Sequence, residues 1–214
     1  MNGRAQRLKW SAICQATIVV VASVTLAACK SPGVNRVSAP GGWGKYVGTI
    51  RTEWQPDGRD MRLLEDVHYI AGDGRNWPAL KGSTINGASI PKAFWCTVGG
   101  PYEGAYREAS VFHDIACDEK KARWQDVHRM FYTGMRCSGV SESKSKVMYT
   151  AVYRFGPRWP EPGTARSSAR MAAFLPARQP TEAEAHAVEE WVERRNPSLE
   201  EIERTTAIPG APGP

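Results

Sequence analysis

Ahead of Pro91 the apolar residues of this chain alternate in short runs, and beyond it they recur every three or four positions. Val47 to Glu53 alternates as a strand does, Pro56-Asp57-Gly58 supplies a turn, and Met61 to Ile70 carries a second strand. Gly72-Asp73-Gly74 turns the chain again, and Trp77 to Ile85 reads as a third strand. The pattern predicts a small antiparallel meander over roughly residues 46 to 90. Ala105, Ala109, Phe112 and Ala116 then mark one helix, Trp124, Val127, Phe131 and Met135 a second, and Val147, Ala151 and Phe155 a third. Ser141-Glu142 is a start signal for the third and Gly156-Pro157 a stop. Strands first and helices second predict an α+β fold.

The remaining pattern divides the chain. Met1 to Lys9 holds Arg4, Arg7 and Lys9 and no acid, and an apolar run follows from Trp10 to Ala28, which is the profile of a signal peptide. The run closes on Leu26-Ala27-Ala28-Cys29, which resembles the lipobox at which a bacterial precursor is diacylated on its cysteine and cleaved. Read otherwise, it is about long enough to anchor the chain across a bilayer. The expected organisation is a lipoprotein signal peptide over 1–28, a flexible tether over 29–45 and the α+β domain over 46–159. A Pro/Gly/Arg-rich linker follows over 160–180, then a short helical segment over 181–204 and a disordered tail over 205–214. Thr181 and Glu184 form a capping box ahead of Val188, Trp191 and Val192, so that segment opens on an amphipathic helix. The implied partner is a membrane, reached through lipid on Cys29. Lys30 resembles an outer-membrane rather than an inner-membrane sorting residue.

Composition changes meaning once 1–28 is removed. Three basic residues and no acid leave with it, so the formal charge falls from +6 to +3. A charge so small, without a clustered basic stripe, argues against nucleic-acid binding. Cys96, Cys117 and Cys137 remain, enough for one disulfide and one spare thiol, or for three small buried side chains. Cys117 and Cys137, each near the end of a helix, are the candidate bridge. Neither a CxxC nor a Cys/His ligand spacing is read in the chain, which argues against a structural zinc site. Most of the eight tryptophans are expected in the core, with a carbohydrate- or peptide-binding cleft as the alternative use.

Candidate chemistry sits in three places: the small-residue strand end Asn86-Gly87-Ala88-Ser89-Ile90-Pro91, the pair His113-Asp114, and Asp126 with His128. Together with Tyr149 to Gly156 these resemble the phage- and bacterium-encoded domain of unknown function 1353 family. That resemblance implies a fold and a set of suspect residues, without a reaction. Asn86 stands where the family usually has an acid, which weakens any activity needing that acid. His68, His113-Asp114 and Asp126 also mimic the ligand order of the His-Asp metal phosphohydrolases, whose all-helical fold disagrees with a strand at His68. Neither a Gly-x-Ser-x-Gly elbow nor a phosphate-binding glycine motif is present.

Two readings of these residues stand side by side. In one, His113, Asp114 and Asp126 converge with Asn86 and Ser89 on a cleft, where His113 acts as base or the three hold a divalent metal that activates water. In the other, a core histidine is satisfied by a carboxylate and a backbone carbonyl and ties two helices together. Both histidines lie on predicted apolar faces, and their neighbouring acids are turned roughly 100 to 200 degrees away. The corresponding functions are a small hydrolase acting on a cell-wall or phage-related substrate, and a non-catalytic binding or assembly module.

Overall fold

The computed structural model describes residues 37–38, 42–87, 90–100, 103–161, 178–207 and 210. All belong to the unit Val34–Pro214, while Met1–Gly33 is a separate unit outside the described residues. The expected signal peptide, Cys29 and most of the expected tether, linker and tail therefore fall outside them, as does Ser89.

The strands are β1 (Val37–Ser38), β2 (Gly44–Val47), β3 (Thr52–Trp54), β4 (Met61–Leu63), β5 (Val67–Ala71), β6 (Asn76–Ala79) and β7 (Thr84–Ile85). They form two antiparallel sheets, ordered β1-β2-β5-β6 and β3-β4-β7. The expected meander is present, but each of its three strands bends partway and continues in the second sheet, as β2 into β3, β4 into β5 and β6 into β7. At the first bend Gly48 has φ 93°, and a Cβ there would stand 3.0 Å from the Val67 side chain. A side-chain-bearing residue is doubly disfavoured at such a point. The strand pattern alone hides these bends, because alternation resumes after each one.

In the first sheet Tyr46 pairs with Tyr69, and Tyr69 with Trp77. Their side chains share one buried face, with Tyr46 and Tyr69 rings 5.0 Å apart and Phe112 stacked on Tyr46 at 5.6 Å. Pro78 is tolerated because β6 is an edge strand of this sheet.

The helices are α1 (Trp95–Val98), α2 (Arg107–Glu119), α3 (Trp124–Cys137), α4 (Glu142–Phe155), α5 (Glu182–Arg195) and α6 (Leu199–Arg204). Ser141 caps α4 by accepting from the Lys144 amide, and Thr181 with Glu184 forms a complete capping box on α5. The fold is α+β. One apolar cluster lies between the first sheet, α2 and the near side of α3, around Tyr69, Trp77, Phe112 and Val127. The other gathers Phe94, Phe131, Met148 and Val152 with Val188, Trp191 and Ile202 of α5 and α6.

Trp77, Trp159 and Trp191 are buried, and Trp54 stands exposed at 62%. Cys96, Cys117 and Cys137 are thiols, so the expected Cys117–Cys137 bridge is absent. The cause is helix direction. Ala109 of α2 lies against Gly134 and His113 against His128, so α2 and α3 are antiparallel and their C-terminal ends point apart. With a rise of ~1.5 Å per residue, that separates the two cysteines by roughly 18 Å along the pair.

Candidate functional site

α2 and α3 approach closely at Gly134, where a Cβ would come within 3.1 Å of Ala109 and 3.0 Å of the Tyr46 hydroxyl. That hydroxyl donates to the Gly134 carbonyl at 2.8 Å. The close crossing brings His113 and His128 together in the interior, both 0% exposed. His113 Nε2 and His128 Nδ1 are 2.9 Å apart, and His128 Nε2 lies 3.2 Å from the Pro157 carbonyl. A carbonyl only accepts, so His128 carries its proton on Nε2 and accepts at Nδ1 from His113 Nε2–H. Cys117, one turn after His113 on the same face of α2, places Sγ 3.7 Å from His113 Nε2 and 3.9 Å from Nδ1. Burial holds the His113 imidazole down at about 3. Burial also lowers His128 well below the ordinary range, with His113 adding to the effect and the Pro157 carbonyl opposing it. Burial pushes the Cys117 thiol far up, with Asp114 and Asp118 reinforcing it. Both rings are therefore neutral, and the cluster is uncharged as it stands.

Asp114 faces elsewhere. One residue further along α2 it is turned about 100° from His113. Its Oδ2 accepts the Asn86 amide at 3.2 Å at the end of β7. The carboxyl is 4% exposed, and Oδ1 has no hydrogen-bond partner. Burial pushes Asp114 up to about 7, opposed by the Asn86 amide, reinforced by Asp118 and opposed again by the Gly87 amide. Its carboxyl lines a cleft of about 650 Å³ between the second sheet and α2, with Thr49, Thr52, Trp54, Arg107 and Ser110 among the other walls. Arg107, Ser110, Val111 and Asp114 follow the i, i+3, i+4, i+7 spacing, so one face of α2 forms the floor.

Asp126 is on the outside. It sits in the first turn of α3 and pairs with Arg75 at 3.3 Å, while the Arg75 guanidinium lies 4.1 Å over the Trp77 ring. The expected convergence of His113, Asp114 and Asp126 does not occur, because the three project from the helix pair in different directions. A metal held by those three residues, or His113 acting as base in an open cleft, does not fit this geometry. Asn86 does approach Asp114, but through its backbone amide, so the loss of an acid side chain there leaves the contact intact. His68 lies on β5 beside Asn76 at 3.2 Å, and the phosphohydrolase resemblance ends there. Cys117 was missed as a partner of His113. The signal for it was the i, i+4 spacing with His113, joined to the placement of His128 on the apolar face of the next helix.

Residues 61–152 match the family described as Protein of unknown function (DUF1353). The DUF1353 stretch thus runs from β4 to α4 and contains Asn86, the buried His113–Cys117–His128 cluster and Asp114. The chain is 47% identical over 99 residues to Uncharacterized protein y4jT of Sinorhizobium fredii, covering 46% of this chain and 30% of that protein. It is 33% identical over 145 residues to Uncharacterized protein y4iH of the same organism, covering 67% of this chain and 61% of that protein. In both cases this chain spans less than two thirds of the relative. No solved structure matches. Among the described residues no helix is long and apolar enough to cross a membrane.

Proposed function

We propose that this is a lipid-anchored protein of the bacterial envelope, outer membrane rather than inner, whose Asp114 cleft binds a ligand rich in hydrogen-bond donors. The supporting observation is the unpartnered Oδ1 of a buried carboxyl on the wall of an open cleft. A buried acceptor left without a partner costs about 1 to 3 kcal/mol, a cost that a donor on a ligand would offset once the Asp114 carboxyl turns toward the cleft. Thr49, Thr52, Ser110 and Arg107 add polar wall, and exposed Trp54 adds an aromatic face at the margin. Hydroxyl- and amine-bearing cell-wall fragments have matching chemistry, and the lipobox-like run ending at Cys29 would deliver the protein to them. This favours the binding module over hydrolysis by His113, which is sealed in the core and committed to His128.

Two measurements on the full chain test this reading. The mature wild type should carry a diacylglyceryl group on Cys29, and Cys29→Ser should abolish it and leave uncleaved precursor; an unmodified N-terminus elsewhere overturns the anchor. Detergent-solubilised wild type should bind soluble peptidoglycan fragments saturably. Asp114→Asn, which keeps volume but replaces the anionic acceptor, should weaken binding about tenfold or more while still melting cooperatively. Equal binding by the variant removes Asp114 from the site, absence of binding removes this ligand class, and steady release of cleaved fragments replaces the binding module with an enzyme.

A further inference from the structure

We propose that His113, Cys117 and His128 form a buried site for one thiophilic divalent metal ion, with zinc the preferred occupant. This site is separate from the Asp114 cleft and does not depend on the ligand assigned to it.

The donor set, its spacing and its orientation all support the assignment. One ligating atom from each residue lies within 4.8 Å of the other two, and all three side chains are buried. His113 and Cys117 are four residues apart on one helix and so present their donors from a single face. His128 completes the group from the antiparallel neighbour. Tetrahedral zinc with Zn–N of about 2.05 Å and Zn–S of about 2.3 Å requires nitrogen–sulfur separations of about 3.5 Å and nitrogen–nitrogen separations of about 3.3 Å. The observed Sγ to His113 Nε2 distance is 3.7 Å, longer than a tight hydrogen bond and close to the spacing of two ligands on one ion. The His113 Nε2 to His128 Nδ1 distance is 2.9 Å with ring centroids 5.1 Å apart, so as the metal replaces the proton between them those atoms part by a few tenths of an ångström and the two rings turn to aim both lone pairs at the ion.

The tautomer of His128 is already set. His128 Nε2 points at the Pro157 carbonyl, an outer contact of the kind that fixes the tautomer of a metal-bound histidine and turns its other nitrogen inward. Both imidazoles are neutral, which is the form that ligates. Binding releases the Cys117 thiol proton to solvent, while the proton on His113 Nε2 is passed to Nδ1 of the same ring, so that both imidazoles stay neutral as they ligate. Zinc and the thiolate together carry one net positive charge. The described residues supply three donors to the ion. Enclosure of all three points to an ion that holds α2 on α3 and is captured as the chain folds, not one that turns over substrate.

The test uses reduced, chelator-treated full chain titrated with Co²⁺ as a spectroscopic probe and then with Zn²⁺. The expected result is one equivalent bound, ligand-field bands of tetrahedral intensity, a thiolate-to-cobalt charge-transfer band in the near ultraviolet, and displacement of both by zinc. Saturating zinc should raise the melting temperature. Cys117→Ala replaces one small buried side chain with another and is expected to fold; it should lose the charge-transfer band and weaken binding by at least about tenfold. Cys96→Ser, with an exposed thiol, should keep the wild-type spectrum. A charge-transfer band that survives in Cys117→Ala overturns the site, as does wild type that takes up no stoichiometric metal or shows no thiolate band. These wild-type readings stand even where a variant folds poorly.

Discussion

At the scale of single residues, Asp114 and the histidine pair drive the pH response of the metal-free protein in opposite directions. The folded pKa of Asp114, about 7, lies above its ordinary 3.8, so the native state holds a proton that the unfolded chain has released. Its contribution is complete at low pH and is lost as pH rises toward 7. His113, at about 3 against an ordinary 6.5, behaves in the opposite way: its contribution is complete above 6.5 and is lost as pH falls, and His128 shifts in the same direction. Wild type should therefore melt earlier as pH drops below about 6. Asp114→Asn should gain stability relative to wild type between about pH 5 and about pH 8, because the buried charge disappears. Calorimetry of the two proteins across that range checks both signs, and a pH-independent difference between them would show that Asp114 is solvated. The helical period placed His113 and His128 beside the core from sequence alone. It gave no warning that they would face each other, since that depends on which rows of α2 and α3 meet.

At the scale of elements, the capping box was the most legible local signal, and Thr181 with Glu184 adopts it in full. Glu184 also pairs with Arg178 at 2.7 Å. Thr181→Ala should destabilise the protein by about 1 kcal/mol by leaving the Glu184 amide uncapped, read as a lower urea midpoint with unchanged slope. The strands were less legible. Leu64 to Asp66 carries no residue that demands a break, whereas the bend from Leu80 to Ser83 turns on Gly82 at φ 88°. Cys117 and Cys137 were misjudged because a position near a helix end says nothing of direction until the crossing is known.

At the scale of the whole molecule, the C-terminal helices share the second core, with Val188, Trp191, Val192 and Ile202 packed beside Phe94, Met148 and Phe155. Glu203 of α6 accepts from the Tyr149 hydroxyl at 2.5 Å and from Arg129 at 2.6 Å, tying the end of the described chain to α3 and α4. A chain stopped after Trp159 keeps the whole DUF1353 stretch yet uncovers this face. It should be poorly soluble and lack a cooperative melt; a soluble, cooperative truncation would show that α5 and α6 are accessory. The family match ends at residue 152, inside α4 and ahead of both C-terminal helices. The bent meander carries a further consequence. The same three passes of chain build both sheets, so a one-residue slip of β2 against β5, which would turn Tyr46 away from Tyr69 and outward, would have to be absorbed at the bend or carried into the pairing of β3 with β4 as well. Each sheet proofreads the other's alignment, and the wall of the cleft inherits its position from the aromatic face on the far side of the bend.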